Sequence, residues 1–128
     1  MTEEDILAFR NWVVIGDVLN EKKYAYRIAN RLKSENYTVH QLNPIKKIDG
    51  TYNNLESLVT EGVKIDIIDL VITPRIGLGI LKEAEKLGLK RVLIQPGAES
   101  EEVLDFCKEN EFEYLQGCIL RELNKKGK

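Results

Sequence analysis

Little in this sequence points toward disulfide, metal or membrane chemistry. It has two cysteines, Cys107 and Cys118, too few for a disulfide framework and not in a CxxC spacing. That usage predicts a reducing, cytoplasmic compartment. There is one histidine, His40, which alternates with Val39 and Leu42 on a short apolar segment and reads as a surface or packed residue. A metal site needs several ligands together, and His40 and the cysteines are scattered, so no metal is expected. No nucleophile-elbow motif accompanies a serine, and no catalytic residue is assigned. No apolar run approaches the ~18–20 residues that span a bilayer. The start, MTEEDILAF, is acidic and lacks the basic region of a signal peptide. Nor is there an excess of one charge: the net charge is −2. No global field draws the chain to nucleic acid or a membrane surface, so any anion binding must be local.

What remains is an ordinary globular composition. The 128 residues are 43% hydrophobic and 31% charged, which suits one domain over residues 1–128 with a single core. Apolar runs alternate with helical spacings along the whole length. Expected strands are Trp12–Ile15, Thr38–Leu42, Ile65–Ile72, Arg91–Ile94 and Phe112–Leu115. Asp66 and Asp69 interrupt the third, which places it nearer an edge, and their separation puts them on opposite faces. Helices are expected at Thr2–Phe9, Tyr24–Glu35, Asn54–Val59, Arg75–Leu87, Ser100–Asn110 and Ile119–Leu123, with a fraying tail over 125–128. Gly88 should close the fourth of these in the left-handed conformation.

Strands alternating with helices predict an α/β fold: a Rossmann-like, doubly wound parallel sheet of five strands with helices on both faces. The expected order is 3-2-1-4-5, with the flavodoxin-like 2-1-3-4-5 as the alternative; either puts a ligand outside the carboxyl ends of the strands. Those ends read Gly16-Asp17, Asn43-Pro44, Thr73-Pro74-Arg75, Gln95-Pro96-Gly97 and Gly117-Cys118.

The first strand runs into a Gly-led loop and a basic helix start, a ready anion pocket because free N–H groups and the helix dipole both point outward. It is not a dinucleotide fingerprint. The loop from Gly16 to Asn20 holds one glycine, the second strand ends without an acid, and no Walker pattern occurs. Lys23, Arg27 and Arg31 recur every four residues as a basic stripe, readable as a solvated face or as part of the pocket. The helix after strand four begins Glu99-Ser100-Glu101-Glu102, so acids already occupy its positive end. One unit charge at ~4 Å counts for about 4 kcal/mol at an effective dielectric of ~20, before screening. The first helix is therefore the better anion site.

The strand WVVIG, the helix start Lys23-Tyr24-Ala25-Tyr26-Arg27, the pairs Asn43-Pro44 and Thr73-Pro74, the run Gln95-Pro96-Gly97-Ala98-Glu99 and Cys118 occur in this order at loops and helix starts. Together, from about Trp12 to Leu123, they resemble the small, stand-alone CoA-binding proteins, whose Rossmann-type domain is shared with the CoA-binding part of the succinyl-CoA synthetase alpha subunit. The resemblance implies CoA or acyl-CoA as ligand. It would lay the phosphates along Gly16, Asp17 and Val18, with Lys23, Tyr26 and Arg27 on the helix holding them. Asn43 and Pro44 would border the nucleotide, and Thr73 and Pro74 the pantetheine arm; Arg75 and Gln95 are further candidate cofactor-binding residues. Cys118 is the candidate reactive thiol, with a packed structural thiol as the alternative. The family's first loop commonly reads Gly-Ala-Ser. Here Asp17 brings a negative charge, and Val18 cannot donate a hydrogen bond. The expected function is CoA binding without catalysis by this chain alone, with a small-molecule partner. The alternatives are a nucleotide-sensing or interaction module that has lost CoA affinity, and a subunit of an acyl-CoA ligase or transferase that needs a partner chain.

Overall fold

The computed structural model describes residues 1–126. Its strands are β1 (Asn11–Gly16), β2 (Thr38–Leu42), β3 (Ile67–Val71), β4 (Arg91–Ile94) and β5 (Glu113–Gln116). Between and after them run α1 (Tyr24–Ser34), α2 (Leu55–Thr60), α3 (Pro74–Lys86), α4 (Glu101–Glu109) and α5 (Ile119–Lys126), and a 3₁₀ turn, Asp5–Ala8, precedes β1. The expected first helix is thus only this turn, closed by reciprocal bonds between Thr2 and Asp5. The expected tail is helical at Lys125 and Lys126, and residues 127–128 lie outside the described residues. Among the described residues no helix is long and apolar enough to cross a membrane.

Every pairing in the sheet is parallel, as the alternation requires. The order is β2-β1-β3-β4-β5. The segment after Pro44 adds one parallel bridge, Tyr52 to Leu42, beyond these five strands. With that rudiment counted as a sixth strand, third in sequence and on the outer side of β2, the order reads 3-2-1-4-5-6, which contains the expected doubly wound 3-2-1-4-5 pattern. The five full strands taken alone read 2-1-3-4-5. The two expected orders thus differ here only by an outer strand reduced to one pairing residue.

The edge position expected for the third strand is corrected. β3 lies between β1 and β4, and Asp69 is fully buried in its middle. Asp66 precedes the strand, and its Oδ2 accepts from both the backbone N and the Nδ2 of Asn11, tying the starts of β3 and β1 together.

The two faces are covered by different helices. α1, α5 and the 3₁₀ turn pack Ile28, Leu32, Ile119 and Ile6 onto Trp12, Val14, Ile67 and Leu93. α2, α3 and α4 pack Leu55, Leu58, Leu81 and Val103 onto Val13, Ile15, Ile68, Leu70 and Ile94. The short α2 is held at its start by Asn54, which accepts from Ser57 N, and by Glu83 of α3, which accepts from Leu55 N and Glu56 N. α3 ends as expected: Gly88 has φ +76°, and Leu89 N bonds back to Ala84 O. Gly16 is needed for a different reason. A Cβ there would collide with the backbone O of Val71 and lie 2.9 Å from the Cβ of Ala25, so its absence lets α1 start close against β1 and β3.

Candidate functional site at the carboxyl edge of the sheet

The chain reverses direction across the sheet between β1 and β3, and the cleft opens there, as expected at a switch point. A cavity of about 620 Å³ sits over the carboxyl ends. Asp17 enters from the end of β1, and Lys23, Tyr24, Ala25 and Ile28 from the start of α1. Val71, Ile72, Thr73 and Ile76 line it from the passage of β3 into α3, and Gln95 to Ala98 from the end of β4. Ile45 closes one side, and Cys118 and Arg121 the other. The walls are mostly apolar with a few charged groups at the mouth, the usual make-up of a small-molecule site.

Of the residues proposed from sequence, Asp17, Lys23, Thr73, Gln95 and Cys118 line this cavity. α1 has Lys23 at its N-cap, no side-chain cap and no acid in its first turn, so its leading N–H groups are left for a ligand. α4 is the opposite case, with Ser100 accepting from Val103 N and two glutamates in the first turn. Asp17 is tied within its own loop, where its Oδ2 accepts from Asn20 Nδ2 at 3.0 Å.

The other proposed residues stand elsewhere. Val18 is fully buried against the α1 face, so it packs in the core rather than lying along a phosphate path. A hydroxyl there would enter the core. Gly16 makes room for α1 and does not line the cavity. Tyr26 is half-buried on another side of α1, and Arg27 is exposed with its guanidinium 5.0 Å from the centre of the Tyr24 ring. Arg31 is engaged by Glu35 and Asn124, so the basic stripe is divided and only Lys23 reaches the cavity. Asn43 is buried, and its Oδ1 accepts from Ile45 N and Lys46 N; it shapes the turn that carries Ile45 in. Pro44 and Pro74 are outside the lining, as is the exposed Arg75.

Three features were missed. Tyr24 and Ile45 stand exposed at the rim, a sign that a sequence pattern of buried and solvated faces does not carry. Arg121 brings a second cation, and the sequence held a signal for it: it lies one turn into the helix that follows the ligand-end pair Gly117-Cys118. The third is Asp69, whose Oδ1 accepts from Gln95 Nε2 at 2.7 Å while Oδ2 has no partner among the described residues. Burial raises its carboxyl to about 7, against the lowering effect of the Gln95 bond. The thiols differ as well. Cys107 is fully buried and pushed up to about 11 by that burial, whereas Cys118 is half-buried at the cavity wall. His40 is away from the cavity, edge-on to Tyr52, with partial burial lowering its pKa more than Glu61 raises it.

Comparisons with known proteins agree with this architecture. A conserved hypothetical protein from Pyrococcus furiosus is 34% identical, with a TM-score of 0.78 over 89% of this chain and 99% of its own. A hypothetical protein from Pyrococcus horikoshii OT3 is 22% identical, with a TM-score of 0.82 over 98% of this chain and 92% of its own; this likeness carries the fold alone. A Thermus thermophilus protein at 19% identity has a TM-score of 0.76, covering 98% of each chain, and again speaks for the fold. No curated protein matches. The model of the CoA binding domain family matches residues 10–124, from just before β1 into α5. The chain therefore belongs to the CoA binding domain family.

Proposed function

We propose that this chain binds CoA or acyl-CoA in the cavity at the carboxyl edge and does no chemistry by itself. One observation carries the reading: the uncapped start of α1, with Lys23 at its N-cap, opens into a largely apolar cavity of about 620 Å³. A phosphate group suits that helix start, and an uncharged arm suits the wall formed by Val71, Ile72, Ile76 and Ala98. Arg121 supplies a second positive charge at the mouth. The same reading takes the chain as one ligand-binding domain of the cytoplasm, with no nucleic acid as partner.

A ligand that binds only the native state at 100 times its dissociation constant adds about 2.7 kcal/mol. Millimolar CoA or acetyl-CoA should therefore raise the Tm by several degrees, read by thermal shift. A shift with NAD and none with either CoA species would refute the reading. The second reading, a pocket that has lost CoA affinity, is favoured by the Asp17 carboxylate on the cavity wall. Under it, Asp17→Asn restores a CoA-dependent shift that the parent lacks.

A further inference from the structure

A carboxyl group in the middle of a central strand is an expensive choice. Asp69 pairs in register with Val14 of β1 and Leu93 of β4, with Ile67 and Val71 on the same face of its own strand. The elements over that face bring Ala25, Ile28, Ala29 and Leu32 from α1, and Ile119 and Leu123 from α5. None of these ionises. The charged and titratable groups on this side, Asp17, Lys23, Tyr24, Cys118 and Arg121 at the cavity and Glu122 beside Lys125, make no hydrogen bond or ion pair with Asp69. Among the described residues its one side-chain partner is Gln95. Gln95 is 2% exposed, and it lines the cavity. A carboxamide has two unlike ends. Asp69 takes the Nε2 end, and no protein donor among the described residues reaches Oε1.

We propose that Asp69 is a positioning residue for the ligand: by holding Gln95 Nε2 inward, it presents Gln95 Oε1 to the cavity as a fixed acceptor, so that the site selects a ligand arm carrying a hydrogen-bond donor such as a secondary amide or a hydroxyl. This rests on the CoA reading, since the pantetheine arm carries both groups. A site built to accept a hydrogen bond discriminates strongly because its buried polar atom is otherwise left unpaired. It also accounts for Asp69 itself. Apolar residues would suit the strand better, and a local violation of this kind is expected where function requires it.

The test compares CoA with adenosine 3′,5′-bisphosphate, which has the phosphates but no arm, by titration calorimetry. In Asp69→Val and in Gln95→Met, CoA affinity should fall by about tenfold or more while bisphosphate affinity stays the same. Asp69→Asn, which like the neutral acid can donate as well as accept, no longer forces one orientation of the amide and should lower CoA affinity at pH 8 to the level the parent shows at pH 6. The pH dependence gives a second signature. The neutral acid can donate as well as accept, so it no longer forces one orientation of the amide. Between pH 8 and pH 6 the ratio of CoA to bisphosphate affinity should fall in the parent relative to Asp69→Asn; the bisphosphate's 5′-phosphate, a monoester that titrates near about pH 6 and has no counterpart in CoA, shifts the ratio equally in both proteins and drops out of that comparison. Unchanged CoA affinity in Gln95→Met, or parallel losses of both ligands, would overturn the positioning role while leaving the CoA reading in place. If Asp69→Val does not fold, Gln95→Met at the cavity wall decides the matter. No binding of either ligand to the parent would overturn the CoA reading, and the positioning role with it.

Discussion

Replacing Asp69 by asparagine should stabilise the protein, and by an amount that depends on pH. The native carboxyl titrates at about 7, against 3.8 for an ordinary aspartate. Below the unfolded value the group is neutral in both states and has no effect. Between that value and about 7 the native state holds a proton that the unfolded state has released, so stability falls as pH rises. Above about 7 the loss is complete. At about 1.36 kcal/mol per pH unit, that interval sets the loss at about 4 kcal/mol, an upper bound because a buried site relaxes around its charge. The Asp69→Asn change removes this loss. The new amide oxygen still accepts from Gln95, and its unpaired nitrogen takes the place of the unpaired Oδ2 of the parent. The variant should match the parent near pH 4 and exceed it by about 2–4 kcal/mol at pH 8. At this chain length a kcal/mol corresponds to roughly 3–5 °C in Tm. Urea denaturation at pH 4, 6 and 8 gives the two curves directly. A variant less stable than the parent by the same margin at every pH would refute the reasoning, because Asp69 would then be making a favourable, fully paired contact in solution.

Gly16→Ala should lower stability by about 3 kcal/mol or more, since the new methyl meets the Val71 carbonyl and the Ala25 side chain rather than a yielding side chain; a loss under about 1 kcal/mol in denaturant melts would show that α1 can move away. Lys23→Ala should weaken CoA binding by about 1–3 kcal/mol at low salt, whereas Arg27→Ala, against the Tyr24 ring outside the cavity, should change it by less than about 0.5 kcal/mol; calorimetry showing equal losses would place a phosphate on the outer face of α1 instead. A thiol reagent at pH 8 should label Cys118 well before Cys107, of which about one molecule in 1,000 is ionised there, and CoA should slow the labelling of Cys118; faster labelling of Cys107 would mean that α4 opens readily.

Local chemistry made the elements legible from the sequence. The run Trp12 to Ile15, the breaks at Pro44 and Pro74, the Gly88 stop and the spacing of Ile28, Ala29 and Leu32 each act within a few residues. The strands and helices accordingly formed where these signals stood. The basic start of α1 and the acidic start of α4 were equally readable, because the charge at a helix end is chemically local; their capping was seen only in the fold. Strand order was legible only as a pair of alternatives. It depends on which segments pair over long distances, and the stretch after Pro44 came down to a single Tyr52 bridge. Side-chain direction in the loops also required the fold. Val18 follows Asp17 by one residue, yet one is core and the other lines the cavity, a matter of how a turn is laid against α1. Arg27 and Arg31 share a face with Lys23 along the sequence, but their stacking and pairing partners were set by tertiary contacts. Asp69 gives the plainest case. In the sequence it is a charge that interrupts a strand and reads as an edge. In the folded chain it lies in a central strand whose two neighbours exclude water, 26 positions before the one glutamine that reaches it, and that pairing made an interruption into a buried acid beneath the cavity wall.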